Sequence, residues 1–316
     1  MSQYVFGVDI GGTTVKMGLF DVAGNVLEKW EIVTRTEGYG SHILPDIAES
    51  ILDKMGDKQI AKESVAGVGI GAPGPIDKDG VVYKAANLGW GVFSIKETLG
   101  DLIHMPVMAG NDANVAALGE MWKGGGTGHQ NIVVVTLGTG VGGGIIIDGR
   151  MLTGATGAGG EIGHIHVEDA ETEKCGCGNI GCLEQYASAT GIARLARRML
   201  ETTTEQSTLR KGSVSAKSVF DAVKAGDALA IKVAEQFGEY LGKGLAAIAG
   251  VVNPEAFVIG GGVSKAGEVL FDYIKPNYDK YVFHGSRQAE FKLATLGNDA
   301  GIYGAAKLIL DSAEEA

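Results

Sequence analysis

The chemistry-bearing residues of this chain concentrate between Glu161 and Glu184. All three cysteines lie there, as Cys175, Cys177 and Cys182, in the spacing C-x-C-x4-C. His164 precedes the first of them, and Glu161 and Glu184 flank the stretch. Three thiolates and an imidazole complete a closed tetrahedral site for Zn2+. Unrelated buried thiols are the alternative, but free cysteines rarely cluster at ligand spacing, and an odd number suits a disulfide poorly. The intervening glycines let the backbone fold tightly around an ion. A closed zinc site does no chemistry of its own, so the metal is read as a clamp that brings Glu161, His164 and Glu184 to one wall. Imidazole binds zinc through one nitrogen, which leaves the other for a ligand or a supporting partner.

A second candidate is Gly110-Asn111-Asp112-Ala113-Asn114, followed by Val115, Ala116, Leu118 and Met121 at helical spacing. Asn111 or Asp112 suits the cap of that helix. The functional reading makes Asp112 a general base held at a helix start, where the macrodipole keeps it ionised. Low proton affinity is tolerable in phosphoryl transfer, because the transition state is loose and the hydroxyl proton can leave late.

Three glycine turns point to phosphate. Gly11-Gly12-Thr13-Thr14 joins two short strands, and its bare N–H groups and hydroxyls can face one anion. Gly138-Thr139-Gly140 repeats the arrangement. Laid over the first hairpin, Gly138 falls on Gly11, Thr139 on Gly12 and Asp148 on Asp21. Gly260-Gly261-Gly262 follows a strand and opens a helix, a place where an adenosine can lie against backbone. One glycine hairpin alone is weak evidence; the recurrence suggests two duplicated halves serving one nucleotide. The P-loop pattern G-x-x-x-x-G-K-[ST] is absent.

The elements that must position these groups follow from periodicity. Strands are expected over 4–10, 15–20, 26–34, 65–70, 107–109, 132–136, 141–147, 256–259 and 291–295. Helices are expected over 41–55, 93–102, 188–200, 215–224, 229–252, 264–275 (stopped by Pro276) and 301–310, with a frayed tail at 311–316. Arg194, Arg197 and Arg198 on the 188–200 helix read as a solvated face. Gly238, Gly242, Gly244 and Gly250 in the long helix suggest close packing.

With 316 residues, 45% of them hydrophobic, the chain can bury one large or two ordinary domains. A net charge of −11 argues against a nucleic-acid or membrane-surface binder. The first residues lead straight into a strand without a basic and apolar leader, and no apolar run is long enough to span a bilayer. Clustered cysteines then suit a reducing cytoplasm.

Gly160-Glu161-Ile162-Gly163-His164, followed by Cys175-Gly176-Cys177-Gly178-Asn179-Ile180-Gly181-Cys182-Leu183-Glu184, resembles the signature of the ROK family of sugar kinases and sugar-responsive repressors. No ligand position is missing. Val8-Asp9-Ile10-Gly11-Gly12-Thr13-Thr14-Val15-Lys16 resembles the first phosphate motif of the actin-like ATPase fold, shared with hexokinases, acetate kinase and heat-shock ATPase domains. The resemblance covers essentially the whole chain. It implies an α/β, actin-like ATPase (ribonuclease H-like) fold of two duplicated domains flanking a cleft. The smaller would comprise 1–110 plus 300–316, and the larger, with the zinc-binding loop, 111–299.

The resemblance further implies an ATP-dependent hexokinase that transfers the γ-phosphoryl group to the 6-hydroxyl of glucose, with Asp112 as base. Asn111, Asp112, Glu161, His164 and Glu184 would hold the sugar. Gly11, Gly12, Thr13, Thr14, Gly138, Thr139 and Gly140 would cradle the phosphates, Asp9 would lie near Mg2+, and Gly261 and Gly262 would border the adenosine. His164, Cys175, Cys177 and Cys182 would hold a structural Zn2+, and Mg2+-ATP would be co-substrate. Lys16 and Asn87 have no fixed role. The cysteine segment and Gly297-Asn298-Asp299-Ala300-Gly301 resemble glucokinases of Gram-positive bacteria within this family. Kinases for fructose, allose or N-acetylmannosamine share the skeleton and are the alternative, as is a non-catalytic sensor or repressor. Polyphosphate in place of ATP is a further alternative donor. Repressors carry a helix-turn-helix domain ahead of the core, and here the first strand begins near Tyr4. The expected partners are a sugar and ATP, with no nucleic acid and no membrane, in a cytoplasmic homodimer.

Overall fold

The computed structural model describes residues 3–314. The principal strands are β1 (Tyr4–Ile10), β2 (Thr14–Asp21), β3 (Val26–Val33), β4 (Val65–Ala72), β5 (Val107–Asn111), β6 (Ile132–Leu137), β7 (Val141–Ile147), β8 (Arg150–Met151), β9 (Ala256–Gly260) and β10 (Glu290–Leu293). The principal helices are α1 (Ile43–Lys58), α2 (Ile95–Ile103), α3 (Asp112–Lys123), α4 (Ala189–Thr202), α5 (Ala216–Lys224), α6 (Ala228–Val252), α7 (Val269–Tyr281) and α8 (Ala300–Glu314).

Two five-stranded sheets form, in the orders β3-β2-β1-β4-β5 and β8-β7-β6-β9-β10. Each strand of the second stands where its counterpart stands in the first. In the first, β1, β2 and β3 run antiparallel, and β4 and β5 continue parallel to β1. In the second, β9 lies parallel to both β6 and β10. The duplication read from the recurrence of a glycine hairpin therefore extends over five strands, as the actin-like ATPase fold requires.

The chain groups into two compact units: residues up to 130, 144–160 and from 296 on form the first; 131–143 and 161–295 form the second. The sequence reading cut the chain at 110/111 and 299/300. In the structure α3 and the turn at 296–299 group with the first unit. The reason lies where α3 meets α8. A Cβ on Gly304 would run into the Val115 carbonyl, and one on Gly119 into the Ala300 carbonyl, so the two backbones touch where side chains are missing. Gly7 and Gly69 likewise let α8 lie directly on the sheet. We expect Gly304→Ala to destabilise the protein by about 1–3 kcal/mol through this overpacking, measured as a lower urea midpoint with unchanged slope.

β1 is buried on both faces, which explains its nearly unbroken apolar run. Phe6, Val8 and Ile10 join the core of Ile43, Ile47, Ile51 and Leu99. Val5 and Phe20 pack with Ile302, Ala306 and Ile309 of α8. In the second unit, Gly238 and Gly242 of α6 face Tyr273, Asn277 and Tyr278 of α7 at distances a side chain would fill. The close packing expected of that helix is present at these two and at Gly244, which faces Leu183, but not at Gly250, where a Cβ would meet nothing. α7 does not stop before Pro276 but carries it inside; Ile274 and Tyr278, both fully buried, anchor the helix on either side. α8 continues to Glu314 rather than ending at Leu310; the last two residues of the tail expected to fray lie outside the described residues. Arg194 and Arg198, expected on a solvated face, are instead paired with buried Glu171. Among the described residues no helix is long and apolar enough to cross a membrane.

Candidate active site and metal centre

His164 closes a short 3-10 turn, Ile162–His164, and the cysteines follow on a glycine-rich loop. One ligand atom from each of His164, Cys175, Cys177 and Cys182 lies within 4.8 Å of all the others. Cys177 and Cys182 sulfurs are 3.7 Å apart, and Cys175 Sγ is 3.7 Å from His164 Nδ1. Zinc–sulfur bonds of about 2.3 Å and zinc–nitrogen bonds of about 2.0–2.1 Å at tetrahedral angles give ligand separations of roughly 3.6–3.8 Å. The residues present therefore fit a structural zinc ion. Burial, and then the hydrogen bond to Glu184, push the Cys175 thiol up, while the Asn179 N–H holds Cys177 down. Cys175 Sγ donates to Glu184 Oε1 at 2.8 Å.

The geometry also chooses between the imidazole nitrogens. Nδ1 faces Cys175, and Nε2 lies 3.9 Å from Glu161 Oε2. Glu184 Oε1 is 3.8 Å from Nδ1. Glu161, His164 and Glu184 thus share one place, with Nε2 left on the side of Glu161.

In the first unit, Asn111 is the N-cap of α3. Its Oδ1 accepts from the Ala113 and Asn114 N–H groups at 3.1 and 3.2 Å, and its Nδ2 donates to the Gly74 carbonyl and Asp112 Oδ1 at 3.1 and 3.0 Å. The amide is engaged on both ends, so it orients Asp112, whose Oδ1 also accepts from Ala113 N–H at 2.8 Å. Asn114, three residues on and 2% exposed, donates to the Gly159 carbonyl at 3.2 Å and fixes the segment leading to Glu161.

Asp9 and Lys16 are cross-strand partners. Lys16 Nζ donates to the Asn298 carbonyl at 3.2 Å. A side chain on Gly301 would come within 2.6 Å of Asp9 Oδ2, so the carboxylate needs that glycine. Burial, and then the charge of Asp112, raise the Asp9 pKa to about 6, against the opposing pull of Lys16. Native Asp9 therefore holds its proton more tightly than unfolded Asp9. Its contribution to stability is lost as pH rises from about 4 to 6 and stays lost above. Asp9→Asn should raise stability at pH 7.5 by up to about 3 kcal/mol and leave it unchanged near pH 4, in urea melts without nucleotide or Mg2+. An equal increment at both pH values would assign the effect to another cause.

The two glycine turns expected to take phosphate are built alike. Gly11 N–H bonds the Thr14 carbonyl, and Gly138 N–H the Gly140 carbonyl, both at 3.0 Å. Thr34 anchors the first turn through its hydroxyl on the Gly11 carbonyl, 2.7 Å, and its N–H on the Thr13 carbonyl, 2.9 Å. The start of α4 anchors the second: Ala189 N–H meets the Gly138 carbonyl at 2.8 Å, and Thr190 Oγ1 the Thr139 carbonyl at 2.6 Å. A side chain on Gly140 would come within 2.6 Å of Glu184 Oε2, so this turn and the Glu184 carboxylate are neighbours. Thr139, Gly140, Lys174, Glu184, Ser188 and Thr190 all line a cavity of about 350 Å³. Gly261, at φ 82°, rests on the backbone of Leu137, which brings the third glycine turn beside the second. Asn87 is exposed in a 3-10 turn. Sequence reasoning missed Thr34, Asn114, Ser188 and Thr190. Thr34, Asn114 and Thr190 work through backbone carbonyls distant in the chain, which no local pattern marks. Ser188 caps α4, its Oγ accepting from Gly191 N–H at 3.0 Å and donating to the Glu184 carbonyl at 2.6 Å, and a serine at a helix start was the signal available.

Each unit thus carries part of the expected set: Asp9, Gly11, Gly12, Thr13, Thr14, Asn111 and Asp112 in the first, the remainder in the second. A model of the ROK family matches residues 5–312. The chain is 45% identical over 313 residues to a glucokinase of Halalkalibacterium halodurans, covering 97% of this chain and 95% of that one. Among solved structures it is similar to a ROK family glucokinase from Streptomyces griseus in complex with glucose and AMPPNP, at 35% identity and a TM-score of 0.71 over 96% of this chain and 98% of that one. A ROK hexokinase from Thermus thermophilus matches at 31% identity and a TM-score of 0.82 over 99% and 100% of the two chains.

Proposed function

The chain belongs to the ROK family, and from that premise we propose that it is an ATP-dependent glucokinase. It transfers the γ-phosphoryl group of Mg2+-ATP to the 6-hydroxyl of glucose. The observation that carries this reading is the oriented carboxylate at the start of α3: Asp112 is fixed by Asn111 and by its own helix.

In the reaction, Asp112 accepts the proton of the 6-hydroxyl as the new O–P bond forms and the bond to ADP breaks. Asn111 holds that carboxylate in place. Glu161, Glu184 and His164 Nε2 meet sugar hydroxyls, which both donate and accept; charged acceptors are strong partners for them. The N–H groups and hydroxyls of Gly11–Thr14 and Gly138–Gly140 take the donor phosphates, and the turn at Gly261 and Gly262 borders the adenosine. Zinc, when bound by His164, Cys175, Cys177 and Cys182, supplies no chemistry to the reacting atoms and ties His164 to the cysteine loop. The net charge of −11 supports a small-molecule partner rather than nucleic acid. A cytoplasmic location accords with three free thiols gathered at one site. A homodimer is the family's expectation, to be read by light scattering.

ADP production by the purified protein tests the reading, with Mg2+-ATP and glucose, mannose, fructose, allose, N-acetylglucosamine or N-acetylmannosamine in turn. Glucose is expected to give the highest kcat/KM. Preference for another hexose keeps the mechanism and changes the substrate. No turnover with any of them, in protein that binds zinc and sugar, would overturn the reading in favour of a sensor or another phosphoryl donor.

A further inference from the structure

Arg194 and Arg198 stand one turn apart on α4 and so share a face. Both reach Glu171, whose side chain is 1% exposed. Arg194 Nη2 donates to Glu171 Oε2 at 2.7 Å, and Arg198 Nη2 to Oε1 at 3.2 Å. Tyr186 Oη donates at 2.6 Å, and the N–H groups of Thr172 and Glu173 at 3.0 Å each. Burial alone would raise this carboxyl; the bonds from Arg198, Tyr186 and the Glu173 N–H, with the charge of Arg194, hold it well below the usual carboxylate range. A buried ion of this kind persists only when so fully satisfied.

From this anchor Arg194 reaches both ends of the cysteine loop. Nη1 donates to Glu173 Oε2 at 3.0 Å, two residues before Cys175. Nη2 also donates to the Gln185 carbonyl at 2.9 Å, one residue after Glu184. Gln185 ties the loop to itself: Nε2 donates to the Glu173 carbonyl at 2.9 Å, and Oε1 accepts from Cys182 N–H at 3.0 Å. The guanidinium lies 5.1 Å over the ring of Tyr186, which stacks on Tyr240 at 4.0 Å. Arg194 Nε is buried without a hydrogen-bond partner, a cost accepted where the two Nη groups are placed. None of these bonds involves a metal ligand's side chain.

We infer that Arg194 is a positioning residue that pre-forms the loop from Glu173 to Gln185, setting the metal ligands and Glu184 in place before zinc or sugar binds. A flat fork is needed, because three acceptors are served from one plane; an ammonium cannot reproduce that. The sugar half of this inference rests on the kinase reading, and the metal half does not.

The test uses zinc-loaded full-length protein and three variants. Arg194→Met keeps the bulk, and Arg194→Lys keeps the charge without the fork. Glu173→Gln weakens the pair to Arg194 Nη1, together with the one Arg198 Nη2 makes to the other oxygen at 2.9 Å, at an exposed side chain where folding is not at stake. Two quantities are read: the rate at which a chromophoric chelator removes zinc, and KM for glucose against kcat. Both arginine variants are expected to lose zinc about 10-fold faster and to show a KM about 10-fold higher, the scale of supporting-contact mutations around metal sites, with kcat little changed. Glu173→Gln should move both quantities the same way by less. Wild-type zinc retention and KM in Arg194→Lys and Glu173→Gln would overturn the inference. Faster zinc loss from the variants of a protein that phosphorylates no sugar would sink the kinase reading and leave the brace standing. Normal turnover with unchanged zinc loss would do the reverse.

Discussion

Asp112→Asn is expected to lower kcat by about 100- to 10,000-fold while glucose binding, followed by calorimetry, stays measurable. The substitution isolates chemistry from structure. Asp112 Oδ1 accepts from the Ala113 N–H and from Asn111 Nδ2, and an amide oxygen at that position can accept both. What the amide cannot do is take a proton. The cap of α3 rests on Asn111 rather than on Asp112, so the helix should keep its start and its melting behaviour. A variant within tenfold of wild-type kcat would show that the 6-hydroxyl proton leaves by another route.

The second large effect concerns the metal. Cys177→Ala removes a ligand at an exposed position, so it leaves no cavity in the fold. One thiolate fewer opens a closed site whose binding free energy is also folding free energy for the loop. Zinc content measured by atomic absorption should collapse, and glucose affinity should fall about 10- to 100-fold, because His164 Nδ1 loses the ion that orients Nε2. Zinc lost with glucose affinity unchanged would show that the loop shapes the sugar wall without the metal. The Arg194 brace makes that comparison informative: it holds the loop ends through an ion pair to Glu173 and a hydrogen bond to the Gln185 carbonyl, so the metal's own share is what Cys177→Ala removes.

Much of the candidate site was legible because its signals are short-range. C-x-C-x4-C with an upstream histidine states a ligand set by spacing alone, and the four side chains do lie together. Gly-Gly-Thr-Thr and Gly-Thr-Gly between apolar runs state tight turns, since few other residues leave backbone N–H groups bare. Asn-Asp before a helical repeat states a helix start, and Asn111 caps it. The first domain boundary was placed differently, because α3 is helical by its own periodicity but says nothing locally about which sheet it covers. Gly119 and Gly304 decide that, and they are glycines in helices, weak positions by propensity, whose use appears only when the partner backbone is beside them.

The arginines of α4 show the same limit from the side of charge. Three arginines on an amphipathic helix read as a solvated face, the common case. Arg197 is exposed, but the acid that Arg194 and Arg198 grip, Glu171, lies more than twenty positions earlier and is polar by type, so nothing in the sequence marked it as buried. Lys16 likewise finds its acceptor at Asn298, at the far end of the chain.

The sequence by itself determined the chemical kinds: which residues can bind a metal, which turn can face a phosphate, which carboxylate begins a helix. Those follow from side-chain chemistry and neighbours a few residues away. The tertiary structure alone decided the five-strand repeat, the unit to which α3 belongs, the imidazole nitrogen that faces the thiols, and the partners of Arg194. Each depends on which distant segments meet. That is fixed by the summed burial and pairing of the whole chain, and local periodicity carries no record of it.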